Sequence, residues 1–235
     1  MSTTDALDAL MEEASVALAQ RRYLDGEERC VRALEQARLM GQWDYYARIL
    51  MPLQECRRHR RMIASEGMLR LGTAGLDPPV ERWLEGLSAG CFVLTAPHGP
   101  HEAAALQRTA QGRGLCVEIL LAECCWGDRQ WTLHSGARPQ VALTLAAPPE
   151  GWLNQWIGPG SVSVQDPRHP GMTPADWFID ATEALGDVAL AAVHAPLGSV
   201  ACVLELEGCL AAVTDHEIIH QRLAEAAHAL AKRPS

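Results

Sequence analysis

From Thr4 to about Gly67 the chain has no proline until Pro52, is rich in Ala, Leu, Glu and Arg, and repeats apolar residues every three or four positions. Only a helix turns that spacing into one buried face, so this stretch is expected to be helical. Leu7, Leu10, Ala14, Ala17 and Leu18 form a first stripe, and Val31, Leu34 and Ala37 a second after a break near Arg21–Leu24. A third opens at Gly41-Gln42-Trp43 and carries Tyr46, Ile49, Leu50 and Leu53. Breaks this short imply antiparallel neighbours. Pro52 lies inside the third stripe and lacks an N–H, which predicts a kink or a restart there.

The character changes between Ser88 and Ala147. Cys91–Ala96 is a compact apolar run expected to be a buried strand, Pro97–Pro100 a turn, His101–Arg113 a helix and Leu115–Leu121 a second strand. Strand, helix and strand in that order make a parallel βαβ unit, whose crossover is expected to be right-handed. Gln130–His134 and Gln140–Ala146 add two strand candidates. A Gly-, Pro- and Ser-rich linker follows from Gly158 to Pro174. Beyond it a helix is expected to open at Pro174, capped by Thr173. Val200–Ala212 fits strand and helix alike, and Asp215–Lys232 reads as helix. The expected class is α+β, with helical hairpins flanking a small βαβ-containing sheet. Four segments follow: residues 1–87 helical, 88–157 small α/β, 158–174 linker and 175–235 helical.

Charge excludes some functions. The net charge of −9 and a pI near 5.4 argue against nucleic acid or an anionic membrane as partner, since both need a basic face. No apolar run reaches the ~20 residues of a membrane span. The first residues, with acids where a secretory leader has a basic flank, point to a cytoplasmic protein. Eight cysteines include no CxxC, so reduced thiols are expected.

Both ends of the chain resemble tetratricopeptide repeats. Trp43, Tyr46, Ala47 and Leu50 are similar to the pattern of the repeat's first helix; Gly26, Cys30 and Ala33, with Tyr23 just ahead, are similar to that of its second. Near the other end, Leu185, Gly186 and Ala189, then Cys202, Leu206 and Cys209, then His220, Leu223, Ala224 and Ala227 echo the same pairing of small and bulky positions. The resemblance implies helix pairs presenting a surface to a partner protein or peptide, with no catalytic residue and no cofactor.

Four motifs bear on chemistry. His216-Glu217-Ile218-Ile219-His220 matches HExxH, in which two histidines on one helix face hold zinc and the glutamate activates water; His228 is the candidate third ligand. Against it, Thr214 and Glu217 have capping-box spacing, which explains Glu217 without a metal and starts the helix ahead of His216. Gly86-Leu87-Ser88-Ala89-Gly90 matches GxSxG, but a nucleophile elbow needs its strand before the serine, and here the strand follows. His98 and His101 stand between a strand and a helix, where open α/β sheets hold ligands. The vicinal pair Cys124-Cys125 has no flanking ligand pattern.

The reading that follows is a non-catalytic scaffold for a protein or an acidic peptide, with Tyr23, Trp43, Tyr46, Arg57, Arg58, Arg60 and Arg61 lining or rimming the contact surface. The alternative is a zinc-dependent hydrolase using His216, His220, His228 and Glu217.

Overall fold

The structure is a computed structural model that describes residues 3–77, 79–125, 129–135, 141–159 and 171–232. Three helices open it: α1 (Thr3–Ala19), α2 (Tyr23–Leu39) and α3 (Trp43–Ser65). Strand β1 (Met68–Leu71), a 3-10 turn at Val80–Leu84, β2 (Ala89–Thr95), α4 (Pro100–Gly112) and β3 (Cys116–Cys125) follow. Then come β4 (Gln130–His134), β5 (Ala142–Ala146), β6 (Trp156–Ile157), α5 (Pro174–Ala191), α6 (Val200–Ala212) and α7 (Glu217–Ala231). The class is α+β, with helices on either side of the strands in chain order. The linker expected over 158–174 lies outside the described residues from 160 to 170. No helix among the described residues is long and apolar enough to cross a membrane. The chain forms two compact units, one of residues 1–60 with 189–235, the other of residues 61–188.

The first unit joins helices from both ends of the chain. Glu13 of α1 meets Arg29 of α2 at 3.1 Å, and Glu27 of α2 meets Arg57 of α3 at 2.8 Å, so each helix runs back along the one before it. Leu7, Ala17, Ala33, Ile49, Val203, Ile219 and Leu223 are buried among them. Helix α3 runs unbroken through Pro52, contrary to the expected restart. The carbonyl that loses its helical donor is that of Arg48, an exposed residue, so the missing bond falls on the solvent side of the helix and not in the core. Val200–Ala212 is helical because Ser199 caps it, its hydroxyl accepting from the Cys202 N–H at 3.1 Å. Helix α7 begins later than Thr214 would dictate, since His216 is the cap and its Nδ1 accepts from the Ile219 N–H.

A close approach fixes the α1–α2–α3 packing. A Cβ on Gly26 would stand 2.7 Å from Cys56 Sγ and 3.7 Å from both the Ala14 carbonyl oxygen and Ala17 Cβ. Gly26→Ala is therefore expected to destabilise the protein by about 1–3 kcal/mol through overpacking, despite alanine's better helix propensity. Urea unfolding followed by circular dichroism checks this, and adding Cys56→Ala should return most of the loss.

The second unit holds a six-stranded sheet of order β5-β4-β3-β2-β1-β6. Strands β1, β2 and β3 are parallel, with α4 forming the expected βαβ crossover between β2 and β3. Phe92, Leu94, Val117 and Leu121 project from one face onto the 3-10 turn (Val80, Trp83, Leu84) and α4 (Leu106, Ala110). On the opposite face Trp131 of β4 meets Trp177 of α5 edge-on at 5.9 Å. Helix α5 is capped as expected, the Thr173 hydroxyl accepting from the Asp176 N–H at 3.1 Å.

Candidate functional site

Helix α3 carries most of the residues expected to bind a partner, and the structure separates them by face. Continuing the buried stripe from Leu50 and Leu53 by three- and four-residue steps leads to Cys56, Arg57 and Arg60, which are buried in turn. Arg57 Nε donates to Glu27 Oε1 at 2.8 Å, and Arg60 Nη1 donates to Glu27 Oε2 at 2.6 Å. Arg57 Nη1 also donates to the Thr214 carbonyl at 2.9 Å, and Arg60 Nη2 reaches the Thr214 hydroxyl at 3.4 Å. Burial alone would raise the Glu27 pKa, but Arg60 and Arg57 outweigh it and hold the carboxyl below its ordinary value. Tyr46 is buried as well, donating its hydroxyl to Glu207 at 2.7 Å. Tyr46, Arg57 and Arg60 thus hold helices together and do not rim a surface, which corrects the expectation of one solvent-facing basic cluster. The physical reason is periodic: positions 57 and 60 fall on the core side of α3, and a carboxylate on α2 makes two cations tolerable there.

The other expected residues stay near solvent. Tyr23 is half-buried and stacks on the His59 ring at 4.5 Å and 9°. Trp43, also half-buried, tilts against Tyr46 at 5.7 Å. Arg58 is exposed and pairs with Glu55 one turn back, at 2.9 Å, while Arg61 pairs with Glu183 of α5. Sequence reasoning missed the residues beside them. Arg48 and Met51 are exposed, Met51 to 72%, and the Arg48 guanidinium lies over the Tyr45 ring at 5.1 Å. Arg48, Met51, Glu55 and Arg58 follow one another at helical spacing, so one outer ridge of α3 combines two cations, the carboxylate that pairs with one of them, a thioether and, through Tyr45, an aromatic ring. The signal was present as the complement of the buried stripe.

The HExxH residues are each engaged. His216 Nδ1 accepts the cap bond from Ile219, and His220 Nδ1 donates to the His216 carbonyl at 3.0 Å. His220 Nε2 then accepts toward Arg57 Nη1, 3.5 Å away, so a dication at that nitrogen would face a buried guanidinium. Burial pushes the His220 pKa down to about 4, which keeps the ring neutral. His228 is half-exposed and lies 3.6 Å from Asp44, and Glu217 is exposed, its carboxylate accepting from Gln221. Among the described residues no three His, Cys, Asp or Glu side chains converge as a metal ion would require.

At the end of β2, His98 Nε2 donates to the Leu76 carbonyl at 2.9 Å and its ring meets Trp83 edge-on at 4.8 Å. His101 is 88% exposed. The first turn of α4 holds its own carboxylate, since Gly99 N–H donates to Glu102 at 2.9 Å, and that bond lowers the Glu102 pKa. Ser88 stands just before β2, the reverse of a nucleophile elbow. Comparison with protein-family models, with curated proteins and with solved structures gives no match, so any functional reading rests on this chain's own residues.

Proposed function

We propose that this chain is a non-catalytic scaffold of tetratricopeptide-like kind, which binds a partner protein or an acidic peptide along the outer ridge of α3. The observation that carries the reading is the packing of α1, α2 and α3. They alternate in direction across breaks of three residues and close onto one another where Gly26 of α2 meets Ala14 and Ala17 of α1 and Cys56 of α3, the small-residue contact on which stacked helix pairs depend. Arg48 and Arg58 give the ridge its preference for carboxylates; Met51, Tyr45 and the Tyr23–His59 stack offer apolar and aromatic contact beside them. Arg57 and Arg60 support the ridge from within by holding α3 against α2.

The test is fluorescence polarisation with a labelled peptide of alternating Glu and Leu, compared with its Lys-for-Glu counterpart. The acidic peptide is expected to bind and the basic one not. Arg48→Ala with Arg58→Ala should weaken binding about tenfold, near 1.4 kcal/mol, and added salt should weaken the wild-type complex. Equal affinity for the two peptides, or no change in the double variant, overturns the reading.

A further inference from the structure

Strand β5 ends the sheet, and among the described residues nothing pairs with its outer edge. The strand Ala142-Leu143-Thr144-Leu145-Ala146 has no charge and no proline, the devices that normally keep an edge from pairing with another chain. Its outward polar groups can be read from its inner ladder. Ala147 N–H donates to the Arg129 carbonyl at 2.9 Å and Ser135 N–H to the Val141 carbonyl at 3.0 Å. Both bonds join residues directly opposite in the register that pairs Thr132 with Thr144, so they mark hydrogen-bonded pairs at either end of the hairpin. Antiparallel alternation then makes 131/145 and 133/143 hydrogen-bonded pairs and 130/146, 132/144 and 134/142 the non-bonded ones. The Thr132 and Thr144 hydroxyls, 3.0 Å apart, agree with the closer approach of a non-bonded pair. Ala142, Thr144 and Ala146 therefore turn their N–H and C=O groups to the open edge.

We propose that this edge pairs with the same edge of a second copy of the chain, about a two-fold axis at Thr144, joining the two sheets into one. The strand is a palindrome, so antiparallel pairing about Thr144 matches every residue with its own kind. Thr144 of each copy exchanges both backbone bonds with Thr144 of the other, and Ala142 exchanges them with Ala146. Leu143 lies beside Leu145 of the second copy on the face that carries Trp131 and Leu133, extending that apolar row. An isologous contact requires a surface that complements itself, and this edge does so in backbone polarity, in side-chain identity and in its lack of charge. An unrelated extended peptide would satisfy the backbone groups, but it would gain nothing from the palindrome.

The wild-type chain is expected to show twice its 25.6 kDa mass by light scattering in the micromolar range. Thr144→Lys and Thr144→Glu each place like charges opposite one another across the axis, and each variant alone should fall to the single-chain mass. An equimolar mixture should return to the double mass, because lysine then faces glutamate. In the wild type the Ala142, Thr144 and Ala146 amides should gain protection from hydrogen exchange with rising concentration, a readout that needs no substitution. Single-chain mass for the wild type at every concentration overturns the proposal, as do variants that both stay double, a mixture that does not recombine, or edge amides insensitive to concentration.

Discussion

Replacing Glu27 with alanine is expected to destabilise the helical unit by about 3–5 kcal/mol, because it leaves the two buried guanidinium groups of Arg57 and Arg60 without their shared anion. Both arginine side chains are nearly inaccessible, at 10% and 7% exposure, and Glu27 is at 14%. Their attraction is screened little by water, and neither cation can turn outward without giving up its bond to Thr214. The Glu13–Arg29 pair joins α1 to α2 at the surface, where Glu13 is 56% exposed, and Glu13→Ala is expected to cost no more than about 1 kcal/mol. Urea unfolding followed by circular dichroism compares the two. A further replacement separates charge pairing from packing. Changing Glu27, Arg57 and Arg60 together to leucine or methionine should lose less than Glu27→Ala alone, since no charge is then stranded. A Glu27→Ala protein as stable as the wild type would show that these arginines reach solvent.

That cluster also explains where sequence reading succeeded and where it stopped. The three opening helices were legible because their apolar stripes repeat over several turns and the breaks at 20–22 and 40–42 are sharp. The β2–α4–β3 unit was legible because two apolar runs, the second interrupted only by Glu118 between Cys116 and Leu121, bracket a proline-started helix. Strand β1 was not, since its four residues include Arg70, which reads as surface. Arg70 is nevertheless buried, because its Nε and Nη2 donate to the carbonyls of Gly72 and Ala74 and its guanidinium lies 5.4 Å from the centre of the Trp156 ring. Arg57 and Arg60 misled for the same reason. A charged side chain looks exposed until its partner is known, and here the partner is a carboxylate thirty positions earlier on another helix. The stripe rule placed both arginines inward, and residue type argued the opposite. His216 misled in a different way: Thr214 and Glu217 have the spacing of a capping box, yet the cap is the imidazole two residues later, which accepts from the Ile219 N–H.

Acid is expected to weaken the same unit before its carboxylates titrate. His220 has a folded-state pKa of about 4 against an ordinary 6.5, with burial the main cause and the neighbouring Arg57 cation adding to it. Between those two values the unfolded chain binds the proton and the folded chain does not, so lowering the pH favours unfolding. The stabilisation is complete above pH 6.5 and is lost progressively as the pH falls toward 4, by about 3 kcal/mol in all. Glu27, on the far side of Arg57, acts in the same direction but lower. Its carboxyl is held below the ordinary 4.5, so its contribution is present above that value and fades beneath it. Thermal unfolding across this range should give a midpoint that is level near neutrality and falls steadily toward pH 4. His220→Gln replaces the imidazole with an amide that does not titrate, and it should remove the upper part of the fall while leaving the part below pH 4.5 that belongs to Glu27. If the midpoint is level down to pH 5, or if His220→Gln falls as steeply as the wild type, the ring is accessible to protons and the buried contact with Arg57 is absent.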